Sequence, residues 1–256
     1  MHLYNASSSY YSMIARLALN EAGVVFNDRR LDIHFKKEQL STWYRMLNPK
    51  MTVPSLVDGS TVYRDSHDIL DYAKSRASRD WLDSESSFKN IISTLENEFY
   101  AIQIEKITFS KAMLSIPPLH YVFPHLLEKI IKQLERELAT STDPNAITEK
   151  IKINQARIDF FTKGDLREKF NHELHSALNF LSHLPNPGPL IMGEKISSID
   201  ILTATLLTRI HMIKEYNLIT NYPHIDAWFQ NFQNRESYKK SDMWLRFHPM
   251  RILLGI

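Results

Sequence analysis

Hydrophobic positions follow two regimes along the chain: through about residue 78, short apolar runs alternate with helical spacings, and beyond it only helical spacings recur. His2-Leu3-Tyr4 is a short strand-like run. Met13, Ile14, Leu17 and Ala18 then share one face of a helix that starts at Tyr10 and stops at Gly23. Val24-Val25-Phe26 opens a second predicted strand, and Leu40, Trp43, Tyr44 and Leu47 return at helical spacing until Asn48-Pro49 ends the pattern. Val53 to Val57 and Thr61 to Tyr63 read as two strands joined by Asp58-Gly59, a hairpin signal because glycine accepts positive φ at little cost. Asp65-Ser66 opens a helix through Ile69, Leu70, Tyr72 and Ala73. The order is βαβαββα.

The polar stretch from Lys74 to Ser87 reads as a linker between a first domain, 1–78, and a second, 87–256. The second is predicted to be all-helical, with helices over 86–114, 122–141, 145–163, 165–184, 197–215 and 224–234. Pro117-Pro118, Asp143-Pro144, Gly164 and the loop 185–189 divide them. In ISSID, Ser197 and Asp200 have the spacing of a short capping box, with Ile196 placed to staple onto Ile201.

Composition narrows the chemistry. With 256 residues, 43% of them apolar, the chain can bury a full core. A net charge of +2, from 31 basic and 29 acidic residues, offers no field for gathering nucleic acid. No run of 18 apolar residues occurs, and the N-terminus lacks a basic segment followed by a long apolar one, so a soluble, cytoplasmic protein without membrane contact is expected. The short apolar tail MRILLGI is expected to dock on the helical domain. Cysteine is absent, which excludes disulfides, thiolate metal sites and protein thiol nucleophiles. His172 and His175 lie three apart on a predicted helix, but no third ligand accompanies them and no metal is expected.

Val53-Pro54 before the third strand, Asp65-Ser66 opening the third helix, and a helical second domain with a capping-box helix together resemble the soluble glutathione transferases over nearly the whole chain. LYNASSSYYSMIARLALNEAGV is most similar to the zeta-like branch, particularly its tetrachlorohydroquinone reductive dehalogenases. The resemblance implies an α/β thioredoxin-like N-terminal domain, an all-α C-terminal domain holding the second-substrate site, glutathione as co-substrate, and a homodimer. It implies that Pro54 is cis and turns the Val53 backbone out to meet the cysteinyl part of glutathione, with Thr52 and Pro54 also in the glutathione site, that Asp65 and Ser66 hold its γ-glutamyl end, and that Gln39 holds its glycine end.

A free thiol, with a pKa near ~8.5, is only slightly ionised at neutral pH, so glutathione chemistry calls for a hydroxyl and a helix N-terminus aimed at sulfur. SSSYYS supplies the candidates. Aligning Arg16 with the family's arginine puts Ser9 on the usual catalytic serine, with Ser12 and Tyr11 as alternatives. The same register puts Tyr11 where zeta-like enzymes carry cysteine, so dehalogenation through a disulfide-exchange step is expected to fail. Phe109, Met113 and Tyr121 are candidates for an apolar second-substrate pocket. The expected activity is attack of glutathione thiolate on a small apolar electrophile. Glutathione-dependent isomerisation of a maleylacetoacetate type and a non-catalytic binding module are the alternatives.

Overall fold

The computed structural model describes residues 1–141 and 143–254. Four strands, β1 (His2–Asn5), β2 (Asn27–Arg30), β3 (Ser55–Asp58) and β4 (Thr61–Tyr63), form one sheet in the order β2-β1-β3-β4. β1 and β2 are parallel, whereas β3 is antiparallel to both β1 and β4. Between them lie α1 (Tyr10–Glu21) and α2 (Thr42–Leu47), and α3 (Ser66–Arg76) follows β4. This is the expected βαβαββα order, and α1 and α3 pack together over the buried Leu3 and Leu56.

Two of the predicted strands move. β2 begins at Asn27, and Val25, expected inside it, is 89% exposed. The actual strand, NDRR, is an edge held to β1 through its backbone, with Asp28 and Arg30 paired on its surface at 2.6 Å. β3 starts at Ser55, two residues later than expected. The predicted linker is structured as well: α3 continues to Arg76, and Trp81 and Leu82 are buried, Leu82 donating its amide to Ile196 O at 2.8 Å.

The second domain contains α4 (Lys89–Ala101), α5 (Ile104–Ser115), α6 (Leu119–Leu138), α7 (Pro144–Thr162), α8 (Leu166–His183), α9 (Ser198–Met212), α10 (Pro223–Phe232), α11 (Glu236–Lys240) and α12 (Pro249–Leu254). The helix expected over 86–114 is broken at Ile102-Gln103, where both flanking isoleucines, Ile102 and Ile104, turn into the core. α11 and α12 lie outside the predicted set. The tail docks only partly: Met250, Leu253 and Leu254 are exposed, and its remaining residues, 255–256, lie outside the described ones. No helix among the described residues is long and apolar enough to cross a membrane.

α9 is buried along almost its whole length, and its capping box is present. The Asp200 carboxylate accepts from the Ser197 amide at 2.9 Å, the Ser197 hydroxyl at 2.7 Å and the Ile191 amide at 2.7 Å. Asp200→Ala is expected to cost about 3 kcal/mol of unfolding free energy, because two buried amides lose their acceptor. Urea denaturation measures it. Burial pushes the Asp200 pKa up to about 6 against these donors. The folded state therefore binds the proton more tightly than the unfolded chain. Relative to Asp200→Asn, wild-type stability is greatest below pH ~4 and falls as pH rises through about 6.

Candidate active site

Sheet topology brings three chain connections to one edge. β1 runs out at Asn5 into the turn 6–9. Because β3 is antiparallel with Ser55 opposite Tyr4, Val53-Pro54 lies beside that turn. β4, antiparallel in its turn with Tyr63 opposite Leu56, ends at the same edge and leads into Asp65. The Val53-Pro54 peptide is cis. Among the described residues, no hydrogen-bond partner meets the Val53 amide or carbonyl.

Asn48, fully buried, knits the edge together. Its amide nitrogen donates to Thr52 O at 2.9 Å, Ser55 Oγ at 3.0 Å and Arg64 O at 3.2 Å. The Tyr44 hydroxyl also donates to Thr52 O, at 2.7 Å. The Thr52 carbonyl is thus committed to the scaffold. From sequence, Asn48 reads only as the end of a helix.

At the start of α3, Asp65 Oδ1 accepts the Asp68 amide at 2.9 Å, and Asp65 Oδ2 lies 3.5 Å from Lys50 Nζ. Ser66 is buried, and the Ser66 and His67 amides have no acceptor among the described residues. Asp65 is thus the N-cap of α3, and the first amides of the helix are left as open donors. Gln39, in the short 3-10 turn Glu38–Leu40, is directed inward. Its amide nitrogen donates to Ile33 O at 3.3 Å, and its oxygen is buried without a partner.

The serine-rich turn is sorted by its hydrogen bonds. Ser7 Oγ accepts from Arg30 at 2.8 Å, and Ser8 Oγ lies 2.8 Å from His34 Nε2. Ser12 is fully buried, its Oγ accepting the Ala6 amide at 3.2 Å. Ser9 is the N-cap of α1: its Oγ accepts the Ser12 amide at 3.3 Å, and no acceptor among the described residues takes its proton. Tyr10 is core, stacked on Phe99. Burial, reinforced by Glu105, pushes the Tyr11 phenol up to about 12.

Two buried arginines fix this turn. Arg16 donates to Asn5 Oδ1 at 2.7 Å and to the carbonyls of Ala6, Ser7, Ser241 and Asp242 at 2.8 to 3.2 Å. Arg209, from α9, donates to Ser8 O at 2.9 Å and lies over the Tyr10 ring. Burial lowers their pKa values to about 9 and about 10 respectively. Arg209 is readable as the one charged residue in the run ILTATLLTRI, although its partner is not.

The three residues named for the second-substrate pocket have different surroundings. Met113 is buried with Phe161 and Leu166, the Phe109 ring stacks on Phe123 with centroids 4.5 Å apart, and Tyr121 is 79% exposed. Core packing against α7 and α8 accounts for Met113, and ring stacking on α6 for Phe109.

Fold and edge together define a thioredoxin-like domain joined to a helical domain, with helix N-termini and an open strand approach converging where the domains meet. The family model described as "Glutathione S-transferase, N-terminal domain" matches residues 3–81, and the one described as "Glutathione S-transferase, C-terminal domain" matches 148–236. The chain belongs to the glutathione S-transferase superfamily. It is 27% identical over 258 aligned positions to the tetrachloro-p-hydroquinone reductive dehalogenase of Sphingobium chlorophenolicum, covering 93% of each chain. It is 22% identical to glutathione S-transferase D6 of Drosophila melanogaster over 91% of this chain and 87% of that one. Among solved structures, the maleylacetoacetate isomerase of Methylobacterium extorquens AM1 with bound malonate and glutathione is similar at TM-score 0.63 and 19% identity, covering 97% of this chain and 99% of that one.

Proposed function

We propose that the protein is a glutathione transferase that holds glutathione along this edge and activates its thiol with Ser9. The observation that carries the reading is the convergence of unpaired donors. The Ser9 hydroxyl and first amides of α1, the backbone of Val53, and the N-terminus of α3 with Asp65-Ser66 all lie at one end of one sheet. A thiolate at the start of α1 gains from the helix dipole and from the Ser9 proton. The γ-glutamyl carboxylate suits the Ser66 and His67 amides, and its ammonium suits Asp65.

Ser12 is less suited to the thiolate role because its hydroxyl faces the Ala6 amide in the core. Tyr11 is less suited because its raised pKa makes it a weaker proton donor. The chemistry is attack by the thiolate on a small, largely apolar electrophile, with a new C–S bond and either a departing anion or addition across a double bond. With no cysteine in the chain, no protein thiol is available to resolve a mixed disulfide with glutathione, so the reading departs from reductive dehalogenation by that route. A detoxifying role in the cytoplasm and a twofold dimer belong to the same reading. A sedimentation mass near that of the single 30.0 kDa chain would refute the dimer.

The test is titration calorimetry with S-methylglutathione, followed by turnover of a chloro-dinitroaromatic and of a maleyl compound in the presence of glutathione. Binding with thioether formation is expected. Isomerisation of the maleyl compound alone would move the assignment to an isomerase, binding without turnover would reduce it to a binding module, and absence of binding would overturn it.

A further inference from the structure

α6 and α7 pack against each other as an antiparallel hairpin, and all of α6 lies in the stretch 82–147 that neither family model matches. The end of this hairpin sits on the loop leading to Val53. Leu134 of α6 and Ile147 of α7 form one buried cluster with Leu40 and Met51, and Glu137 pairs with Arg45 at 2.8 Å. Lys150 of α7 is buried, and its Nζ donates to Met51 O at 3.0 Å and Lys50 O at 3.3 Å. Those two carbonyls are its bonded partners among the described residues.

Met51 is itself unusual. It is a non-glycine residue at φ 53°, the left-handed region, and it is 1% exposed. Such a conformation costs on the order of 1 kcal/mol or more and persists only where surrounding contacts over-determine it. Here the hairpin supplies those contacts from both sides, packing the Met51 side chain and holding its carbonyl. Lys50, whose ammonium faces Asp65, and Val53 flank this held residue.

We propose that the α6–α7 hairpin is an intramolecular clamp on the glutathione loop and that Lys150 is its positioning residue, so that hairpin docking and glutathione binding favour each other. The inference rests on the reading of Val53 and Asp65 as glutathione contacts. A ligand that gains from the ordered loop must, by linkage, stabilise the hairpin contact that orders it. Lys150 touches no reacting atom, so its loss acts on glutathione affinity and leaves the electrophile's chemistry alone.

The experiment uses the full chain and S-methylglutathione, which has no thiol to ionise. Lys150→Met keeps an unbranched apolar stem and removes the donors, and Lys150→Arg keeps charged donors. Lys150→Met is expected to raise the ligand's Kd roughly tenfold, the effect of losing a charged hydrogen-bond donor, and to raise KM for glutathione with kcat retained; Lys150→Arg is expected to recover most of the affinity. In the wild type, bound ligand is expected to slow amide exchange over 144–152 as well as over 50–54, a measurement that needs no variant to fold. Ligand binding that leaves exchange in 144–152 unchanged, or a Lys150→Met protein that binds like the wild type, would overturn the clamp while leaving the transferase reading intact. Failure of the wild type to bind S-methylglutathione would overturn both.

Discussion

Ser9→Ala is expected to lower kcat/KM for glutathione conjugation about 100-fold, the usual effect of removing one aimed hydrogen-bond donor from a developing or resident anion. The residue has two roles that the substitution removes together. As N-cap of α1 it accepts the Ser12 amide, and that loss alone costs about 1 kcal/mol of stability. As donor, in the proposed reading, it gives its proton to the glutathione sulfur. Ser9→Asp separates the two: aspartate is as good a cap as serine, but it carries no proton to give and adds a negative charge beside the thiolate. Steady-state kinetics alongside thermal melts should therefore show Ser9→Asp melting near the wild type with activity as low as Ser9→Ala. An active Ser9→Asp would reduce Ser9 to a cap.

Arg16→Met is expected to cause the largest loss of stability of any substitution considered, roughly 4 kcal/mol or more, with a fall in melting temperature on the order of 10 °C. One guanidinium satisfies the Asn5 side chain and four backbone carbonyls, two in the turn 6–9 and two in the segment 241–242. Its removal strands these buried acceptors and also frees the turn that carries Ser9. Arg16→Lys is expected to recover little, since a single ammonium cannot span acceptors disposed around a planar fork. Chemical denaturation checks both variants, and an Arg16→Lys protein with wild-type stability would show that charge alone, rather than the fork, organises the turn.

The parts of this molecule that were legible in the sequence are those fixed by local chemistry. The Asp58-Gly59 hairpin, the Asp65 cap, the Ser197/Asp200 box and the apolar spacing of α1 each depend on residues within a few positions of one another. β2 was misplaced because its side chains make ion pairs instead of packing, so the strand carries no apolar signal while the exposed Val25 beside it does. The break at Ile102-Gln103 has no glycine or proline to announce it and is imposed by burial on both sides.

The candidate site divides in the same way. Ser9, Val53, Pro54, Asp65 and Ser66 stand in recognisable local patterns, and the sheet brings their segments to one edge. The residues that hold those segments in place, Asn48, Arg209 and Lys150, act over separations of 16, 201 and up to 100 positions, and nothing in their immediate neighbours reveals the partner. Gln39 illustrates the reverse: a polar residue at a family-like position whose amide nitrogen bonds its own loop while its oxygen has no partner among the described residues.

In the proposed reading, Ser9 and the start of α1 ionise glutathione. The measurement that tests it most directly is the ultraviolet difference absorbance of bound glutathione across pH, for the wild type and Ser9→Ala. In the wild type the thiolate is expected to form well below the free thiol's pKa of about 8.5, and in Ser9→Ala its pKa is expected to return towards that value. Glutathione that binds but ionises at the same pH in both proteins would contradict that reading.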